Sequence, residues 1–254
     1  MSTGLLRTLR RPVGRALRVV PSPLWAAIYP AISLFVTPDG YDSGAAYEDR
    51  ESAFSLIYKE NRWSSPESRS GIGATVAATR TVRRNLELLL PKLQCRSLLD
   101  APCGDFNWMR HVRLPADCAY LGRDIVPELI ADLRRDYPEK DWGLLDIVAE
   151  PPPDADVWMC RAVLYHLPLA DGLSVLRNMA ASNVKYFMST SHDFVRRNQD
   201  IRPGGFRYIN LRAAPYNLPK PIHRIIDFVS PSAPTYLDVW TRAQVRDAVT
   251  ERTG

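Results

Sequence analysis

The amino-acid sequence predicts an α/β domain, a largely parallel sheet with helices on both faces. Three observations carry that expectation. From residue 75 onward, short apolar runs alternate with stretches whose apolar residues recur every three to four positions. The apolar runs stop at acids or turn residues, and the stretches between them suit the crossover connections that join parallel strands. The composition, 46% hydrophobic and 24% charged over 254 residues, fits one large folded domain with an appendage. It excludes a disordered, collagen-like or disulfide-stapled chain.

The elements follow in order. Val76, Thr79, Val82, Leu86, Leu89 and Leu93 mark one face of period 3.6 and predict a helix ending near Pro91. Residues 96–100 read as a first strand, closed by an acid and a Gly-containing turn. A short helical segment over 107–112 leads to a second strand at 119–124 and a helix over 128–136. The third strand is expected at 142–147. After the proline run 151–153 comes a fourth at 157–160, then a helix over 169–180 and a fifth strand at 186–190. There the rhythm breaks. Residues 191–222 are rich in Pro, Gly, Arg, Asn and aromatics, as a functional or disordered loop would be. Residues 224–229 and 236–240 read as two further strands, giving seven.

The net charge of +5 becomes informative once it is located. Residues 1–38 hold Arg7, Arg10, Arg11, Arg15 and Arg18 and no acid, so the remaining chain carries 28 basic against 28 acidic residues. The body is neutral, which disfavours nucleic acid as a partner. In the basic segment, Leu5, Leu6, Leu9, Val13, Leu17 and Val20 recur at helical spacing, as in an interfacial helix on anionic lipid. A loose tail, or a helix docked on the body or on a second subunit, fits equally, so a homo-oligomer is an open expectation. The apolar stretch 24–36 has thirteen residues interrupted by Pro30, against about 20 needed to span a bilayer. No small-x-small cleavage pattern follows it. Cys95, Cys103, Cys118 and Cys160 form no CxxC pair and have no His at ligand spacing, so they read as reduced thiols. The expected location is the cytoplasm, with peripheral contact to the inner membrane face if the basic segment binds lipid.

Ligands of open α/β sheets bind outside the carboxyl ends of the strands. The first strand ends Asp100-Ala101-Pro102-Cys103-Gly104-Asp105, with one glycine where a dinucleotide fingerprint has three. Gly104 still admits close backbone approach, and the free amides that follow suit a carboxylate. Asp124, twenty residues after Gly104, suits the two hydroxyls of a ribose. At Asp146-Ile147 an acid can accept from an adenine amino group and an aliphatic can cover its face. Singly, each acid is more often a solvated strand end. Three at consecutive strand ends point to a nucleoside.

The segments LLDAPCGD, LGRDIVPELI, LLDI and DVWMCRAVLYHLP together resemble the class I S-adenosylmethionine-dependent methyltransferases, whose Rossmann-like sheet has seven strands. With FSLIYKENRW, ESRSGIGAT and DAPCGDFNWM, the likeness narrows to a bacterial branch linked to sugar O-methylation, that of the actinobacterial sugar 1-O-methyltransferase of methylmannose polysaccharide synthesis. It covers roughly residues 54–240. The resemblance implies a cofactor site in which Asp100, Ala101 and Gly104 lie along the methionine part. Asp124 with Ile125 would then meet the ribose, Asp146 with Ile147 the adenine, and Arg161 would join the set. Arg69 would hold the methionine carboxylate, unless it is a surface turn residue. Pro102 departs from the glycine commonest in the superfamily. The implied organisation is an extension over 1–40, a cap segment over 41–75 and the methyltransferase domain over 76–254.

Amino-methylating members usually carry an Asn/Asp-Pro-Pro-aromatic motif after the fourth strand. Here that place reads Cys160-Arg161-Ala162-Val163, which favours oxygen as the acceptor atom. A hydroxyl must lose its proton, and His is the side chain best matched to cytoplasmic pH. His166 follows the fourth strand and is the expected general base. His192, Tyr58, Trp63, Tyr165, Phe206 and Tyr208 are the expected substrate contacts, since aromatics suit stacking on sugar faces. A packed lid without substrate contact is the alternative for any one of them. The expected substrate is a saccharide or glycolipid. The alternatives are a lipid or polyketide-type hydroxyl, or a noncatalytic scaffold that kept the fold. Mg²⁺ assistance is a minor expectation, with His192, Asp193 and Asp200 as donors lacking a decisive spacing.

Overall fold

The computed structural model describes residues 49–229 and 234–250. The N-terminal extension, with its expected membrane or subunit contact, lies outside these residues, as does the start of the cap segment. Helix α1 (Arg50–Glu60) precedes α2 (Arg80–Leu89) and the strands β1 (Ser97–Asp100) and β2 (Ala119–Asp124). Helix α3 (Pro127–Asp136), β3 (Asp141–Leu144), β4 (Val157–Cys160), α4 (Leu169–Ala181) and β5 (Tyr186–Ser191) follow. The chain then forms β6 (His223–Val229), β7 (Pro234–Thr241) and α5 (Arg242–Thr250).

The seven strands make one sheet in the order β3-β2-β1-β4-β5-β7-β6. Neighbours among β1–β5 pair in parallel, whereas β7 runs antiparallel to both β5 and β6. Because side chains alternate along a strand, consecutive apolar residues serve opposite faces. Leu98, Val157, Met159 and Val239 enter one core with Val82 and Leu86 of α2 and Leu129 and Leu133 of α3. Leu99, Trp158, Cys160 and Trp240 enter the other with Val175 and Met179 of α4 and Val245 of α5. Both faces are thereby covered, as a parallel sheet requires.

Three boundaries depart from expectation for local reasons. Helix α2 starts four residues late, because Thr75 and Thr79 turn their hydroxyls onto nearby backbone: Thr79 Oγ1 donates to Thr75 O at 2.8 Å and Ala78 N donates to Thr75 Oγ1 at 3.2 Å. Strand β3 stops at Leu144, three residues early, where Val148 N donates to Asp146 Oδ1 at 2.9 Å and closes a turn. The segment expected over 107–112 is a single 3-10 turn at Met109–His111.

Beyond Ser191, the last residue of β5, residues 192–222 carry no regular element, yet they are pinned. Asn198 Nδ2 donates to Asn210 O and Ala214 O, each at 2.8 Å, and Asn210 N donates back to Asn198 Oδ1 at 2.8 Å. Ile209, Leu211, Tyr216 and Leu218 enter the second core. The Arg207 guanidinium is buried, donating to Leu164 O at 3.2 Å and to Tyr216 Oη at 3.1 Å. The expected substrate loop is therefore a packed wall. Among the described residues, no helix is long and apolar enough to cross a membrane.

Gly172, inside α4, shows how tightly this wall is seated. A Cβ there would lie 2.4 Å from Tyr216 Oη, which is fully buried. Helix propensity alone makes Gly→Ala stabilising by about 0.5–1 kcal/mol. Gly172→Ala is expected instead to destabilise by about 1–3 kcal/mol through overpacking. Thermal or urea unfolding measures the sign, and a raised midpoint would contradict the packing described.

Candidate active site

The carboxyl ends of β1, β2 and β4 open onto a cavity of about 320 Å³. That volume is at the small end of the range usual for bound small molecules. Its floor holds two buried carboxyl groups. Asp100, the last residue of β1, accepts from Tyr120 Oη at 2.7 Å, and Asp124, the last of β2, accepts from Gly104 N at 3.0 Å and Val126 N at 3.1 Å. Among the described residues neither forms an ion pair. Burial pushes Asp100 up to about 7 and Asp124 up to about 6, partly offset by those hydrogen bonds. Such acids suit a ligand that brings hydroxyl donors or a cation.

Gly104 takes φ +57, and a Cβ there would lie 2.4 Å from Ser70 Oγ, which itself accepts from Asp105 N at 3.0 Å. Only glycine lets the cap turn 68–70 close onto the end of β1 in this way. The bond before Pro102, where a superfamily glycine was absent, is cis. Asp146 lines the other end of the cavity with Ile147, and its Oδ2 receives Arg50 Nη2 at 2.7 Å.

His166, in a 3-10 turn after β4, is 9% exposed. Its Nδ1 is 2.6 Å from Gly205 O. A carbonyl only accepts, so Nδ1 carries the proton and Nε2 keeps its lone pair. Burial depresses the imidazole to about 4, so the ring is neutral across the physiological range. Trp63 stacks on it with centroids 5.1 Å apart, Tyr165 meets it edge-on at 4.5 Å, and Phe206 lies at 5.8 Å.

The cavity thus gathers Asp100, Gly104, Asp124, Ile125, Asp146 and Ile147, together with Arg69, Arg161 and His166. Tyr58, Trp63, Tyr165 and Phe206 line it as well. Three expected residues are not among its lining. Ala101 is fully buried behind it, donating its N–H to Met159 O at 3.1 Å and accepting from Trp158 Nε1 at 2.9 Å. His192 turns into the wall, where its Nδ1 lies 3.0 Å from Ile209 O. Tyr208 packs edge-on against His192 and Phe194 at 5.0 and 5.1 Å. The expected metal donors are likewise committed: Asp193 to Arg224, and Asp200 to the amides of Leu169 and Ile201. These donors do not fit a Mg²⁺ site, and no cluster of three suitable ligands occurs among the described residues.

Two further placements revise expectation. Arg69 Nη1 donates to Tyr58 O and Lys59 O, both at 3.1 Å, closing the last turn of α1 while bordering the cavity. Arg161 is held in the protein: its guanidinium makes three hydrogen bonds to Asp227 at 2.8–3.0 Å and one to Gly73 O at 2.9 Å, and lies 4.7 Å over the Trp108 ring. It therefore ties the cap turn at Ile72–Ala74 to strand β6. Sequence reasoning missed Arg50, Trp108 and Asp227. Their partners lie dozens of residues away, and no local spacing announces them.

No protein-family model matches the chain, and no curated protein does. Solved structures do match. A structure of PigF with SAH aligns over 90% of this chain and 72% of its own, with 17% identity and a TM-score of 0.54. Magnesium protoporphyrin IX methyltransferase (ChlM) from Synechocystis PCC 6803, with bound SAH, aligns over 78% of this chain and 90% of its own, with 9% identity and a TM-score of 0.49. The fold is the Rossmann-like methyltransferase fold. The first of these likenesses and the mixed seven-stranded sheet establish it.

The Arg161–Asp227 pair is almost fully buried, its side chains 7% and 3% exposed. Arg161→Met strands a carboxylate in the interior and is expected to cost about 3–5 kcal/mol. The double variant Arg161→Met/Asp227→Leu should recover most of that loss. Urea unfolding of the single and double variants checks this, and equal losses in both would show that the charge pairing is not what holds the turn.

Proposed function

We propose that this chain is an S-adenosylmethionine-dependent methyltransferase that acts on a hydroxyl oxygen, with His166 as general base. The supporting observation is the pairing of two buried acids, neither in an ion pair among the described residues, at adjacent strand ends with a neutral imidazole that lines the same cavity. The cofactor carries an ammonium, a sulfonium and two ribose hydroxyls, and it supplies an electrophilic methyl group when bound. In this reading Asp100 would meet the cationic amino acid end and Asp124 the ribose. Asp146, with Ile147 beside it, serves the adenine end, retaining lone pairs beyond those used by Arg50 and Val148. Val126, Leu129 and Leu145 supply apolar walls.

The chain's contribution to the transfer is largely positioning and exclusion of water. The Gly205 carbonyl fixes the His166 tautomer, and Trp63 and Tyr165 hold the ring in place. His166 Nε2 then accepts the hydroxyl proton. Trp63 and Phe206 offer stacking faces that a saccharide or glycolipid acceptor would use. A lipid or polyketide-type hydroxyl is the second reading, favoured by the scarcity of free polar atoms around those faces.

Titration calorimetry with SAH should show one site, and absence of binding to a folded protein would sink the enzyme reading in favour of a noncatalytic scaffold. Asp124→Asn is expected to weaken SAH about 10–100-fold, the loss of one charge-assisted contact. Both acids have raised pKa values in the ligand-free fold, so their protonated forms are favoured there as pH falls below about 7 and 6. A ligand that binds the charged forms must displace those protons. SAH affinity should therefore fall at least about tenfold between pH 7.5 and pH 5, against a pH-independent affinity if the acids do not contact it.

His166→Ala should keep SAH affinity within a few-fold and lose about 10²–10⁴-fold in kcat. Because the imidazole is depressed to about 4, the acid limb of kcat at saturating cofactor should lie near that value rather than at an ordinary histidine's. Unchanged turnover in the alanine variant would remove His166 from the reaction.

A further inference from the structure

The acceptor end of the cavity is an aromatic chamber with few polar atoms to offer. Around His166 stand the rings of Trp63, Tyr165 and Phe206, the last two 5.3 Å apart and T-shaped. Ile72, 63% exposed, sits in the cap turn at its rim. Of the charged groups bordering this end, one is fully engaged within the protein and the other in part. Arg161 is spent on Asp227 and Gly73 O, and Arg69 Nη1 on the end of α1. Three polar atoms here have no hydrogen-bond partner among the described residues: His166 Nε2, Tyr165 Oη and Trp63 Nε1.

We infer that the acceptor is a flat, conjugated ring carrying the reacting hydroxyl, a phenol- or enol-type compound, held between Trp63, Tyr165 and Phe206 with its hydroxyl on His166 Nε2. This rests on the O-methyltransferase reading and names its substrate class. Each hydroxyl buried without a partner costs about 1–3 kcal/mol. A saccharide ring brings several hydroxyls into a chamber that has one free acceptor nitrogen and two groups able to donate. A conjugated ring instead presents two faces and an edge to aromatics, worth about 0.5–1.5 kcal/mol per ring contact beyond area. Tyr165 Oη and Trp63 Nε1 remain to donate to one carbonyl or ether oxygen on the same ring.

Acidity points the same way. A phenol ionises near about 10, far closer to a buried imidazole than an unactivated hydroxyl such as water's at about 15.7. In the transfer, the acceptor oxygen forms a bond to the methyl carbon as the carbon–sulfur bond breaks, and that electron pair stays on sulfur. The hydroxyl proton passes to His166 Nε2 and then to solvent. The products are an aryl or enol methyl ether, SAH and a proton.

The test uses the full chain saturated with SAH, titrated with 1-naphthol and 4-hydroxycoumarin on one side and with mannose and maltotriose on the other. Binding is read as tryptophan fluorescence quenching that is present in the wild type and reduced in Trp63→Phe. The same compounds are then incubated with methyl-labelled S-adenosylmethionine. Quenching and label in at least one ring compound, and in neither sugar, is the expected result. Phe206→Ala should raise the KM of that compound about tenfold while leaving SAH affinity within about threefold, which separates loss of stacking from misfolding. Preferential binding or labelling of a sugar overturns the acceptor class and leaves O-methyl transfer standing. So does failure to bind or label either ring compound by protein that takes up SAH. Failure to bind SAH overturns the methyltransferase reading itself and the acceptor class with it.

Discussion

Burial of two acids at the ends of neighbouring parallel strands is the constraint around which this molecule is arranged. A parallel sheet covered on both faces leaves its carboxyl edge as the one place where chain and polar groups meet a ligand. Asp100 and Asp124 occupy that edge with hydrogen bonds but, among the described residues, no ion pair; the more distant Arg161 charge only partly relieves Asp100. Removing a carboxylate from water without pairing it is costly, and the ligand-free fold meets that cost by shifting both acids toward their neutral forms. A ligand that brings positive charge and hydroxyls reverses the shift. The same groups that weaken the empty site therefore supply part of its binding energy.

The remaining architecture walls that edge in part. The cap turn 68–70 reaches Gly104 at a distance only glycine permits, and Arg161 anchors the next turn through Gly73 O. Arg50, at the start of α1, spans Asp146 and Asp171 at 2.7 and 3.4 Å, so the first described helix is tied to the Asp146 end of the cavity. Tyr58 Oη donates to Asp132 Oδ2 at 3.0 Å and ties the other end of α1 to α3. Each tie is a polar contact at the cavity rim with apolar packing behind it.

What was legible in the sequence was whatever local pattern controls. The alternation at Leu98-Leu99 and Val157-Trp158-Met159-Cys160 announced strands buried on both faces, and acids at their ends announced Asp100, Asp124 and Asp146. His166 was legible by its distance from β4. His192 misled by the same logic: it follows β5 directly, but its amide and ring both turn to Ile209, which carries the side chain into the wall. Asp227 and Arg50 were invisible because their significance lies in partners 66 and 96 residues away. Arg161 lines the cavity, and the countercharge its burial requires, Asp227, is one that only the tertiary fold supplies.

The imidazole of His166 raises a question of strength. A base depressed to about 4 is weak as a free acid–base pair, yet within the site what matters is the lone pair and its direction. Burial removes competing protonation at neutral pH, and the Gly205 carbonyl removes the wrong tautomer. In the transfer proposed for this site, positive charge would build on the acceptor oxygen before the proton leaves, so the hydroxyl would become a much stronger acid as the bond forms. A weak but aligned base suffices at that stage. The chamber of Trp63, Tyr165 and Phe206 thus has two effects with one cause: excluding water lowers the basicity of His166 and makes the geometry of its single free nitrogen decisive.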